Sequence, residues 1–205
     1  MIFLNPLYQQ LIHLYADKIN HFPLIRLSIL SLDKTIFYLL IYIVLRILYL
    51  KKKKRKVKFK RELGLGLFVA YILLLLFLTV FRAQYFPWDI HIVTGRSLSE
   101  INIIPIIETL KLAGGTSIVD FFYNLYGNIA WFIPFGIMVP ALKKKRINLL
   151  QVTIMGALFS ISIETAQFFL QSGVTDIDDV IFNVLGVILG YCLYQFGKSL
   201  KKAFK

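Results

Sequence analysis

Long apolar runs separated by short charged or polar stretches dominate the chain. Crossing roughly 30 Å of hydrocarbon at about 1.5 Å per residue takes about 20 mostly apolar residues. Four segments meet that requirement: 63–81, 126–142, 149–169 and 180–196. A fifth, 29–50, carries Asp33 and Lys34 near one end and Arg46 near the other. Such charges are expected at the interfaces, because side chains near helix ends reach back to the headgroups. The pattern predicts an all-α fold: a polytopic transmembrane bundle of about five spans.

Ahead of the first span, Asn5-Pro6 reads as a helix cap followed by proline in the first turn. Phe3, Leu7, Leu11, Leu14 and Phe22 recur at helical spacing, opposite Gln9, Gln10, His13, Asp17 and Asn20. An amphipathic helix is expected here, lying on the outer leaflet or across the ends of the bundle. These first residues lack the charged start and small-residue cleavage site of a secretory signal, so they are expected to remain in the mature protein. The loop 82–123 is too long for a simple connector. Phe86 and Trp88 suit headgroup level. Beyond them, Asn102 and Pro105 precede an apolar run through Leu112 that stops at Gly114-Gly115, which fits a short interfacial or re-entrant helix.

Composition sharpens this picture. Of 205 residues, 58% are hydrophobic and 17% charged, against roughly 45–50% and about 25% in soluble domains. The net charge is +13, from 24 Lys and Arg against 11 Asp and Glu. On a soluble protein that excess would point to nucleic acid. Here the charges lie on one side of a five-span topology: nine in residues 51–61, four in 143–146, and four more at Lys198, Lys201, Lys202 and Lys205. The positive-inside rule then puts the N-terminus outside and the C-terminus inside, with the lipid bilayer as partner and no nucleic acid. The lone Cys192 excludes an internal disulfide. Three segments result: residues 1–28 as an interfacial N-terminal segment, 29–62 as a first span with its basic loop, and 63–205 as the main membrane domain.

Polar groups inside the spans carry the functional information. Gly156, Ser160, Glu164, Gln167 and Gln171 share one face of the fourth span. A carboxylate near the centre of a span costs about 2.5–3.5 kcal/mol on the insertion scale, so Glu164 is expected to face inward. The fifth span opens with Asp176, Asp178 and Asp179 and continues through Asn183, Gly186 and Gly190, whose glycines invite a neighbouring helix close. Asn124 and Asn128 stand near the external end of the third span, above Pro134 and Pro140. Three spans thus deliver polar side chains to one level, roughly 5–10 Å below the outer surface. A structural reading ties Glu164 to Asn183, Asn128 or Ser160; a functional reading makes it a recognition or catalytic group.

The segments GNIAWFIPFG (127–136) and SIETAQFFLQSGVTDIDDVIFNVLGVILGY (162–191) resemble the two signature regions of the VanZ-like family, membrane proteins associated with teicoplanin resistance, and INIIPI (101–106) resembles that family's Asn-x-x-Pro segment. The resemblance covers residues 100–191. It implies a multi-pass protein of the bacterial cell membrane linked to reduced susceptibility to lipoglycopeptides. It also marks Asn128, Glu164, Gln167, Asp176, Asp178, Asp179 and Asn183 as the ligand-binding positions. Relatives carry an arginine just before the acidic cluster; Gln171-Ser172-Gly173-Val174 has none, so no role for that arginine carries over.

Two functions of different classes remain open. One is a resistance factor whose outward-facing polar site binds a cell-wall lipid precursor or the lipoglycopeptide's acyl tail. The other is an intramembrane enzyme acting on a polyisoprenoid or lipid phosphate, with Glu164, Asp176 and Asp179 as the candidate catalytic groups. No cofactor is required by the pattern. Asp176 and Asp179, with Glu164 or Asn183, form the one oxygen-donor set suited to Mg²⁺ or Ca²⁺. His13, His21 and His91 lack zinc-ligand spacing, Ser160 has no paired histidine, and no phosphate-binding glycine loop is present.

Overall fold

The computed structural model of the protein describes residues 1–15, 22–54, 56–105, 118–143 and 145–204, without the side chains of 118–124. Asp17, Asn20, the side chain of Asn124 and the expected short helix through Leu112 to Gly114-Gly115 lie outside the described residues. Among those described, the chain is all helical, and five helices are long and apolar enough to cross a membrane. It divides into two units, Met1–Ile90 and His91–Lys205.

The first unit contains α1 (Asn5–Tyr15), α2 (Phe22–Lys52) and α3 (Phe59–Thr79), with a 3₁₀ turn at Pro87–Asp89. Helix α2 starts at Phe22, seven residues before the expected edge, because Pro23 falls in the first turn, where its missing N–H is tolerated, and Leu24–Ser28 continue the helix without a breaker. Phe22 therefore does not extend the apolar face of α1; it opens α2 and sets its ring 6.3 Å from that of Tyr8. Val44, Leu45 and Leu48 are more than half exposed along α2, as a lipid-facing stripe should be.

Asp33 and Lys34 are fully buried within the first unit. The Asp33 carboxylate accepts hydrogen bonds from the backbone N–H groups of Ile2, Phe3 and Leu4 at 2.6–2.7 Å and from the Tyr85 hydroxyl at 2.6 Å. It thereby serves the unsatisfied donors leading into α1, a place that favours negative charge. Lys34 does the converse: its Nζ donates to the carbonyls of Phe81, Arg82 and Gln84 at 2.6–3.2 Å, just past the C-terminus of α3. Burial, and then the bond to Asp33, push the Tyr85 phenol well above its ordinary pKa, so it remains a donor. Farther along α2, Arg46 grips Glu62 of α3 through two hydrogen bonds of 2.7 and 3.0 Å.

The second unit contains a 3₁₀ turn at Leu98–Glu100, then α4 (Ile118–Leu142), α5 (Leu149–Leu170) and α6 (Ile177–Ala203). Helix α6 packs on both α4 and α5. The contact with α4 is almost backbone to backbone: a Cβ added at Gly186 or Gly190 would lie 2.2 Å from the carbonyl oxygen of Ile129 or Ile133, and one at Gly136 would lie 2.2 Å from that of Val187. The glycine stripe read from the sequence is thus the α4–α6 seam. Against α5, Val187 of α6 fills the space over Gly156. Helix α5 opens with a reciprocal cap between Asn148 and Gln151 and ends at Gln171, whose φ of 49° is left-handed.

Candidate functional site

Helix α6 begins in the second unit with Asp176 as its N-cap, accepting from the Asp178 backbone N–H at 2.9 Å. An aspartate is suited to that place because its oxygen takes up an orphan donor and its charge meets the positive end of the helix. The same Oδ1 accepts from the Asn102 side-chain amide at 2.9 Å. Backbone bonds from Asn102 N–H to the Thr175 carbonyl and from Ile177 N–H to the Asn102 carbonyl, both 3.0 Å, extend this attachment into a short parallel bridge. The loop is also fastened upstream. Val93 N–H donates to the Phe169 carbonyl at 2.9 Å, and Arg96 donates to the Phe168 carbonyl at 2.7 Å while stacking on the Phe168 ring. Arg96 pairs with Glu100 as well and holds that carboxyl below its ordinary pKa.

Around this anchor the three helices contribute polar groups. Glu164 of α5 is buried, and its Oε2 accepts from the Asp176 backbone N–H at 3.1 Å. Its own carbonyl accepts from the Thr175 hydroxyl at 3.3 Å. Asn128 of α4 donates to Asp179 Oδ1 at 2.5 Å, a charge-assisted bond across the α4–α6 seam. Asn183, also buried, donates to Ser160 Oγ of α5 at 2.9 Å, which leaves its buried Oδ1 with no hydrogen-bond partner among the described residues. Gln167 and Asp178 are buried beside them.

The residues named from the sequence therefore come together, but with different partners. The structural reading tied Glu164 to Asn183, Asn128 or Ser160; it bonds the α6 N-terminus instead, while the other three residues pair as Asn183–Ser160 and Asn128–Asp179. Backbone N–H groups at a helix start are strong donors that a side-chain pattern does not reveal. Arg96 and the contact of Asn102 with Asp176 escaped the sequence reading, although Asn102 lay in a resembling segment. Their partners are a backbone carbonyl and a residue 74 positions away.

The arrangement is rich in acceptors. Glu164 Oε1 and Asp179 Oδ2 accept no hydrogen bond from any described residue, and Asn183 Oδ1 joins them. Such a set suits a ligand offering hydroxyl or amide N–H groups. Among the described residues no group of three or more His, Cys, Asp or Glu side chains is gathered as a metal ion requires.

Comparison with known proteins agrees with the helical pattern and the signature segments. The VanZ/LLP1 family profile matches residues 68–198. Protein VanZ of Enterococcus faecium is 32% identical over 124 residues, covering 60% of this chain and 68% of that protein. No solved structure matches the chain. The profile takes in α4, α5, the whole polar cluster and most of α6, so the chain belongs to the VanZ/LLP1 family and is a multi-pass membrane protein of bacteria.

Proposed function

We propose that this chain lowers susceptibility to lipoglycopeptides such as teicoplanin by holding a hydroxyl- and amide-bearing ligand, a lipid-linked cell-wall component or the antibiotic itself, at the polar cluster around the start of α6. The observation that carries the reading is the convergence of Asn128, Glu164, Asp176, Asp179 and Asn183 from three helices, with acceptor oxygens left over. Polar groups within spans are costly unless they face a bundle interior or a wet cavity, and they mark ligand paths in membrane proteins. The charge distribution along the chain supports an outward-facing orientation of this end.

The test is to express the chain in a susceptible bacterial host and measure teicoplanin susceptibility and cell-bound labelled teicoplanin. Glu164→Gln keeps an oxygen for the Asp176 N–H, and Asp179→Asn keeps one for Asn128, so both variants should accumulate normally. Both should lose the protection given by the parent chain. Variants that protect as well as the parent would refute the site. A covalently altered envelope lipid or peptidoglycan fragment that disappears with Asp179→Asn would establish the enzymatic reading instead. In a Cys192→Ser background, Val174→Cys should react with an impermeant maleimide on intact cells, since Val174 is 73% exposed beside the cluster. Labelling only after lysis would end the outward-facing assignment.

A further inference from the structure

At the other end of the same helices the second unit holds a cavity of about 850 Å³, within the roughly 300–1,000 Å³ of small-molecule sites. Lys143, Lys145, Arg146, Lys198 and Lys202 line it, and among the described residues no carboxylate does. None of the five forms an ion pair with a described residue. Four neutral polar side chains of the wall are already engaged. Tyr191 donates to the Ile147 carbonyl at 3.2 Å and accepts from Gln195 Nε2 at 2.6 Å. Asn148 and Gln151 close the cap of α5. The wall is therefore held in shape while its cations lack a counter-charge among the described residues.

Depth identifies what supplies that charge. From Asp179 to Lys198 along α6 the rise is about 28 Å, close to the thickness of the hydrocarbon core. The acidic and basic ends of the unit thus sit at opposite headgroup levels. Leu150 and Phe196, 66% and 63% exposed, flank the basic end with apolar surface fit for acyl chains. Basic pockets between spans at this level are suited to anionic headgroups.

We propose that this cavity is a binding site for the phosphate of an anionic phospholipid, on the leaflet opposite the polar cluster. The site is independent of the function argued above. Each cation near an anionic headgroup strengthens binding about fivefold.

The test uses the full chain in phosphatidylcholine nanodiscs, with phosphatidylglycerol as the probe and native mass spectrometry as the readout. Phosphatidylglycerol should be retained in preference to phosphatidylcholine. K145Q/K198Q/K202Q should bind it about a hundredfold more weakly, and K202Q alone about fivefold. K52Q/K53Q/K56Q, which removes the same charge from the loop after α2, should bind as the parent chain does. The arginine variant K145R/K198R/K202R should retain binding. Equal loss in the loop control, equal retention of phosphatidylcholine, or loss in the arginine variant would overturn the proposal. Displacement of phosphatidylglycerol by millimolar inorganic phosphate would show a free-phosphate site and overturn the lipid assignment.

Discussion

Gly186→Ala isolates the α4–α6 seam in one methyl group. The new Cβ would lie 2.2 Å from the Ile129 carbonyl oxygen and 3.0 Å from Phe132 Cβ, where ordinary contact begins near 3.4 Å. The obstacle is backbone rather than the end of a flexible side chain, so the two helices must separate by about 1 Å. Overpacking of this kind costs about 1–3 kcal/mol, with the upper end appropriate for a rigid neighbour. Separation also stretches the Asn128–Asp179 bond, a charge-assisted contact worth about 1.5–3 kcal/mol. Alanine returns about 1 kcal/mol through its better helix propensity. The net expectation is a loss of about 2–4 kcal/mol. Gly197 lies on the same helix with nothing within 4 Å of an added Cβ, so Gly197→Ala should gain about 0.5–1 kcal/mol. The two variants are compared by the thermal midpoint of the purified chain in one detergent, together with expression level. If Gly186→Ala were as stable as Gly197→Ala, the close approach of α4 and α6 would be wrong.

Other substitutions probe the remaining features. Asp33→Asn removes the charge that gathers the N–H groups of Ile2, Phe3 and Leu4 and the Tyr85 hydroxyl; it should cost about 1.5–3 kcal/mol. Faster amide exchange at Phe3 and Leu4 would register it, and unchanged exchange would contradict the assignment. The Arg96–Glu100 pair lowers the Glu100 pKa, so its contribution is complete above the ordinary glutamate value of 4.5 and fades as pH falls through the lowered one. Exchange at Val93 and Asn102 should consequently rise only below about pH 4.5, and a transition near neutrality would point to another group. Arg96→Lys keeps the charge but loses the planar stack on Phe168, and should raise exchange at those residues at every pH.

The five spans were legible because hydropathy and length alone decide whether a segment suits hydrocarbon, and the glycine stripe was legible because Gly186 and Gly190 lie one turn apart on one face. The set of polar residues was legible for the same reason: Asn128, Glu164, Asp179 and Asn183 are unexpected in a bilayer wherever they point. Their pairing was not. Glu164 binds a backbone N–H, which every residue possesses and no pattern advertises, and Asp176 binds Asn102 across a loop whose path the sequence does not encode locally. The partners of Asp33 and Lys34 were hidden on similar grounds. Both are satisfied mainly by main-chain groups, Asp33 about 30 positions upstream and Lys34 nearly 50 downstream.

That separation along the chain sets an order of events during synthesis. When α2 leaves the ribosome, Asp33 can already find residues 2–4, yet the three carbonyls that receive Lys34 lie 47–50 residues later. At about 5–20 residues per second the ammonium group waits roughly 2–10 s before its acceptors exist. Throughout that interval α2 is an incompletely neutralised segment whose lateral release into lipid is disfavoured. The first two spans should therefore leave the insertion machinery as a pair.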